Sequence, residues 1–261
     1  MPLPRSLVSA VLAVLAAGAT LNPGAALRAA TPGPAAGAAA TALPLQALEA
    51  ALNSADDAPL ADLLQAGPGL DPDEIQKRRQ TLRSQFPDLR WTVSAGTPTR
   101  DGQPTAILRV GGTRRQGVTT YRLDAEQRLA LRGDGRHITA QTVLQEQSLL
   151  RSGEQSPPVS LQIPDAVLTG ERYDVDVIFD DPLDGAMAAG GLAMINAQQL
   201  LGMESPSVEL GALGGGGLFK RVQAPLNPGS QTWAVLLVHP RGIISATKRV
   251  RVVADRAALT P

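Results

Sequence analysis

The stretch QFPDLRWTV, residues 85–93, divides two kinds of sequence. Before it, apolar residues recur at helical spacing within a charged run; after it, apolar and polar residues alternate. Proline cannot continue a helix and pushes the preceding residue toward extended geometry. Pro87 therefore ends a helix near Phe86, and a strand begins with Leu89, Trp91 and Val93 on one face and Arg90 and Thr92 on the other.

Upstream, the helix that stops there opens at Asp71-Pro72-Asp73-Glu74, with an N-cap, a first-turn proline and a glutamate three residues on. Ile75, Leu82 and Phe86 make a narrow apolar stripe while Lys77, Arg78, Arg79 and Arg83 cover the rest, which predicts a surface helix with one buried edge. Two shorter helices are predicted before it. Pro44 is placed for the first turn of one carrying Leu45, Leu48 and Leu52, and Leu60, Leu63 and Leu64 precede the breaker Gly67-Pro68-Gly69.

Downstream, Asp101-Gly102 offers a hairpin turn before a strand at 106–110, and further strands are predicted at 118–123, 128–131 and 137–150. Short helices followed by an antiparallel sheet make residues 44–151 an α+β domain. Residues 152–158, SGEQSPP, have linker composition, and the rhythm beyond them is all-β. Tyr173, Val175, Val177 and Phe179 alternate with Asp174, Asp176, Ile178 and Asp180. Strands at 159–163, 173–179, 191–195, 207–213, 218–224, 232–239 and 244–253 reach the seven of an immunoglobulin-like sandwich over 159–254, with a tail at 255–261.

Composition limits what the chain meets. Its 261 residues carry 24 basic and 24 acidic side chains, so no global field recruits nucleic acid or an anionic membrane. Without cysteine there is no disulfide framework, thiolate zinc site or acylated lipoprotein cysteine. Arg5, the apolar run 7–21 and the break at Asn22-Pro23-Gly24 read as a signal peptide within 1–30, followed by a Pro/Ala/Gly-rich leader at 31–43. Export to the periplasm or beyond is expected, a lumenal compartment being the other setting. Membrane attachment would run only through an uncleaved signal segment.

The segment 85–93 resembles the place in nuclear-transport-factor-2-like and SnoaL-like domains where a helix enters the curved sheet of the cone. Residues 121–129, YRLDAEQRL, look like the penultimate hairpin of those domains, with an acidic turn between an aromatic strand and a basic-apolar return. This resemblance covers 44–151 and implies a cone-like α+β domain; the chain departs from it between Leu64 and Ile75, where the first hairpin has little room. Residues 225–242, PLNPGSQTWAVLLVHPRG, are similar to the last hairpin of bacterial immunoglobulin-like or fibronectin type III-like modules. Neither resemblance implies a particular substrate.

Several residues are candidate sites. The glycine run around 214–217 lacks the lysine spacing and following helix of a phosphate loop, so it reads as a hairpin loop or bulge, with Phe219 as a contact tip. Asp174, Asp176, Asp180 and Asp181 could offer oxygens to Ca²⁺, though their spacing matches no calcium loop. Tyr121, Asp134 and His137 could form an acid–base set inside the cone. Arg109 and Arg122, with Arg114, Arg115, Arg128, Arg132 and Arg136, concentrate positive charge on the first sheet, and Trp91 is the aromatic beside them. With few aromatics interleaved, base stacking has no platform. Two functions follow. One is an exported non-enzymatic protein binding a small molecule or an envelope protein; the other is an isomerase- or cyclase-like enzyme working in the cone cavity. No cofactor is implied by either.

Overall fold

The computed structural model describes residues 43–260 apart from Glu154, Met203, Ser205 and Gly215; the signal peptide and nearly all of the leader lie outside the described residues. The molecule is mostly antiparallel sheet with a few short helices. Helices α1 (Leu45–Asn53), α2 (Ala58–Leu63) and α3 (Pro72–Gln85) lead into strands β1 (Arg90–Gly96), β2 (Thr105–Gln116), β3 (Thr119–Gly133) and β4 (Ile138–Ser152). Then follow β5 (Val159–Gln162), β6 (Ala166–Leu168), β7 (Arg172–Phe179), β8 (Ala188–Ile195), α4 (Ala197–Gly202), β9 (Gly211–Leu213), β10 (Gly217–Gln223), β11 (Gly229–His239) and β12 (Gly242–Val253). Among the described residues no helix is long and apolar enough to cross a membrane.

The helix-to-strand switch forms as its residues dictate. The Asp71 carboxylate accepts from the Glu74 amide, fixing the start of α3. At the other end the amide of Phe86 donates to Leu82 and that of Leu89 to Phe86, so the chain turns within Phe86-Pro87-Asp88-Leu89 and enters β1. Phe86 is fully buried. A side chain at Gly112 would press on Phe86 and Leu89, so the bare glycine lets this turn lie against β2. Arg79, also buried, donates Nε to the carbonyl of Leu52 at 2.9 Å and bonds Asp57 and the carbonyl of Ser54, clamping the α1–α2 connection onto α3.

β1 to β4 form a meander, and β4 then pairs with β12. The result is one sheet in the order β1-β2-β3-β4-β12-β11-β8-β9, with β6 running parallel beside the end of β12. β10, β7 and β5 form a separate three-stranded sheet. Registers carry a single side-chain row across the large sheet, Trp91–Val110–Ala125–Ser148–Thr247–Ala234–Ala193. On this face, the helix face, α1–α3 cover the first four strands around Leu52, Leu82, Phe86, Trp91, Leu108 and Leu129. On the opposite face the small sheet covers β12, β11 and β8 around Val175, Val177, Trp233, Val235, Ile244 and Val250. Each half of the large sheet is thus covered on a different side.

Two readings of the sequence change. The segment 121–129 is not a hairpin: β3 runs unbroken through Asp124-Ala125-Glu126, because Tyr121, Leu123, Ala125, Gln127 and Leu129 keep strict alternation and no glycine or proline interrupts them. The turn lies earlier, at Gly117, whose φ of 61° suits glycine. The glycine run 214–217 does not close a hairpin either, since β9 pairs with β8 in the large sheet and β10 with β7 in the small one; it is a crossover between layers. On the helix face of β8 and β11, Leu200 of α4 packs on Ile195 and Ala234.

Candidate functional site

The space between the helices and the sheet is packed with apolar side chains. Between α1–α3 and the sheet lies a cavity of about 20 Å³, walled by Leu52, Leu60, Leu108, Leu129, Leu131 and Ile138. The acid–base set does not converge there. Tyr121, near the start of β3, is buried beneath the Arg114 guanidinium, which lies 5.3 Å from its ring centroid. Asp134 and His137 sit in the turn beyond the other end of β3, some twelve residues or about 40 Å along an extended strand. His137 Nδ1 is 3.0 Å from Asp134 Oδ2, and the amides of Arg136 and His137 also donate to Asp134. The His137 side chain foremost, then these amides, hold the Asp134 carboxyl well below its usual range. His137 borders an open hollow of about 450 Å³ with Pro59, Asp62 and Leu63, which has no tyrosine donor.

The acidic candidates are dispersed. Asp174 takes a two-bond contact from Arg221 at 2.7 and 3.1 Å, which lowers its pKa, and Asp181 is 3.5 Å from Arg241. Asp176 lies two residues along β7 from Asp174, and Asp180 follows its end. Among the described residues no three histidines or carboxylates stand together as a metal site. Trp91 is a core residue, 2% exposed, and cannot be a surface contact. Phe219 is 63% exposed, but it stands on β10 opposite Asp176 and not at a loop tip.

Arg109 and Arg122 behave differently. Both project from the face of β1–β4 that the helices leave bare. Arg90, Arg109, Arg115, Arg122, Arg128, Arg132 and Arg151 share that face, with Asp124 and Glu126 its strand carboxylates. Glu126 is 2.7 Å from Arg109 and Asp124 is 2.5 Å from Arg151. The open face is covered by the small sheet only as far as β5. At that boundary lies a groove of about 510 Å³, with Val159 and Leu161 of β5 as one wall and Gly111, Gln147 and Leu149 in its floor. Arg90, Thr92, Arg109, Asp124 and Glu126 supply its polar lining. The arginine clustering was visible in the sequence; the groove was not, because Val159 and Leu161 reach it only through the β4–β12 pairing.

Residues 154–253 match a family model described as Domain of unknown function (DUF8623). The match ends with β12 and takes in β5, so it includes the groove wall and excludes the floor. No curated protein matches the chain.

Proposed function

We propose that this is an exported, non-enzymatic binding protein whose partner occupies the groove beside β5. One observation carries the reading: the open face of the sheet is left uncovered where the small sheet stops, producing a cleft of ligand-pocket size lined by an apolar wall and charged side chains. The packed space between the helices and the sheet and the separation of Tyr121 from Asp134 and His137 weigh against the isomerase-like alternative.

The architecture proposed for the two halves is a nuclear-transport-factor-2-like unit lacking its first hairpin and an immunoglobulin-like sandwich. Counting β5, β7, β8, β9, β10, β11 and β12 as first to seventh, the first, second and fifth share one sheet and the third, sixth and seventh the other, while the fourth lies beside the third and departs from the constant-type order in which it joins the first, second and fifth. The placement of the other six supports the immunoglobulin-like reading. Export rests on Arg5 and the apolar run 7–21; an intact Met1 on the native chain would contradict it.

The binding role is tested in the producing cell with a photo-crosslinking residue placed at Thr92, inside the groove, or at Val118, fully exposed at the β2–β3 turn. A discrete adduct at Thr92, absent at Val118 and lost when Gly111→Leu fills the floor, is expected. Equal adducts at both positions, or none at Thr92, would contradict it.

A further inference from the structure

Building on the proposed groove, we infer that its occupant is an extended acidic peptide segment that adds as a strand to the free edge of β5 and directs carboxylates to Arg90 and Arg109.

The backbone of β5 is the first reason. Its register with β7 pairs Ser160 with Ile178 and Gln162 with Asp176. The amide of Asp180 donates to the carbonyl of Pro158 at 3.0 Å, which sets the alternation of bonded pairs. Ser160 and Gln162 therefore spend their main-chain groups on β7, while those of Val159 and Leu161 face the groove. Among the described residues no strand pairs with that edge. The contrast with β1, at the end of the large sheet, is direct. There Asn53 Oδ1 accepts from the Trp91 amide at 3.0 Å, its Nδ2 donates to the Trp91 carbonyl at 2.8 Å, and Glu49 accepts from the Val93 amide at 2.7 Å. One edge is capped by side chains, as exposed edges commonly are; the other is left as a template for a further strand.

Charge selects the occupant. Arg90, Arg109, Asp124 and Glu126 are the charged residues lining the groove; Arg109 holds Glu126 and Arg151, from the surrounding face, holds Asp124, so both carboxylates are already paired on a face that carries seven arginines in all. Arg90 has no ion-pair partner among the described residues and borders the groove. A strand laid beside β5 would pass over the row Gly111–Asp124–Leu149, so alternate side chains would point to the floor beside Arg90 and Arg109, where Asp124 is already held by Arg151. The four residues of β5 span about 13 Å, enough to register a short peptide. Among the described residues no aromatic side chain lines the groove, so bases of a nucleic acid would find nothing there to stack on.

The test uses the full mature chain and fluorescence anisotropy. The probe is a fluorescein-labelled eight-residue peptide of alternating Glu and Val, compared with its Lys/Val counterpart and with an oligothymidylate. The Glu/Val peptide should bind, and the other two should not. Binding should weaken by about tenfold or more in Gly111→Leu and in Arg90→Glu, and should fall with salt. A Cβ at Gly111 meets only an ordinary contact, with the Leu123 carbonyl at 3.6 Å, so the floor can be filled without clash. N-methylation of the peptide on all Glu amides or on all Val amides should abolish binding in one pattern and spare it in the other, because only one set of amides can face β5. Circular dichroism identifies any variant that fails to fold, and the N-methyl arms leave the protein unaltered. Absence of Glu/Val binding at millimolar protein, equal loss or equal retention with both methylation patterns, or equal competition by oligothymidylate would overturn the inference. If the peptide arms fail while the Thr92 adduct and its dependence on Gly111 persist, the acidic-strand inference falls and the groove remains the binding site; loss of both removes both.

Discussion

Ser148 Oγ and Thr247 Oγ1 lie 2.5 Å apart although 99 residues separate them in the chain. They face each other across β4 and β12, the pairing that makes the two halves one sheet. The adjoining rung is also polar and largely buried. Gln127 Nε2 donates to Glu146 Oε1 at 2.7 Å, and Glu146 Oε2 is 3.5 Å from Arg249. Because β5 follows β4 directly, this seam also sets where β5 stands over the open face.

The seam should couple the halves energetically. In a double-mutant cycle of Ser148→Ala and Thr247→Val, the interaction should come out at about 0.5–1.5 kcal/mol, the usual net worth of a hydrogen bond. The two tryptophans report the halves separately, Trp91 lying in the first core and Trp233 in the second. Variants retaining one tryptophan each should give urea midpoints by emission that coincide with those from far-ultraviolet circular dichroism. Two separated transitions would mean that the β4–β12 pairing does not hold the halves together.

Trp233 anchors the second core. It is 5% exposed, and its Nε1 donates to the Tyr173 hydroxyl at 2.9 Å, which donates to Gln231 at 2.8 Å. Trp233→Ala should destabilise the protein by about 3–5 kcal/mol, as emptying a large aromatic site does. A urea midpoint corresponding to less than about 0.5 kcal/mol, typical of surface substitutions, would contradict its placement.

The Asp134 turn should respond to acid in a definite direction. The folded state holds the Asp134 pKa below its unfolded value, mainly through the His137 side chain and then through the amides of His137 and Arg136. Its contribution is present above the unfolded pKa of about 3.9 and is lost as pH falls through the folded one. Carboxyl-detected NMR titration should find Asp134 ionised after ordinary aspartates have protonated, and His137→Ala should move its pKa up. An unchanged value in His137→Ala would show that the contact has no hold on the carboxylate.

Much of this architecture was legible from local chemistry. Pro87 ends α3, Asp71 starts it, and the alternation of Tyr173, Val175, Val177 and Phe179 marks a face that is buried. The acidic stretch Asp124-Ala125-Glu126 misled because charge resembles a turn, yet on a sheet with one solvated face it is what the outer positions of a strand carry. The helix α4 is six residues long, too short for a periodic signal. The candidate site divides the same way. The arginines of β2 and β3 were visible as a cluster, but their common face depends on register, and the groove depends on β5 standing against strands far away in sequence.

Amide hydrogen exchange in the free protein tests most directly whether β5 presents an open edge to the groove. The amides of Ser160 and Gln162, directed at β7, should exchange slowly, while those of Val159 and Leu161, directed into the groove, should exchange at rates close to those of an unprotected chain. Uniform protection across residues 159–162 would contradict the open edge, because it would mean that both sides of β5 are already paired.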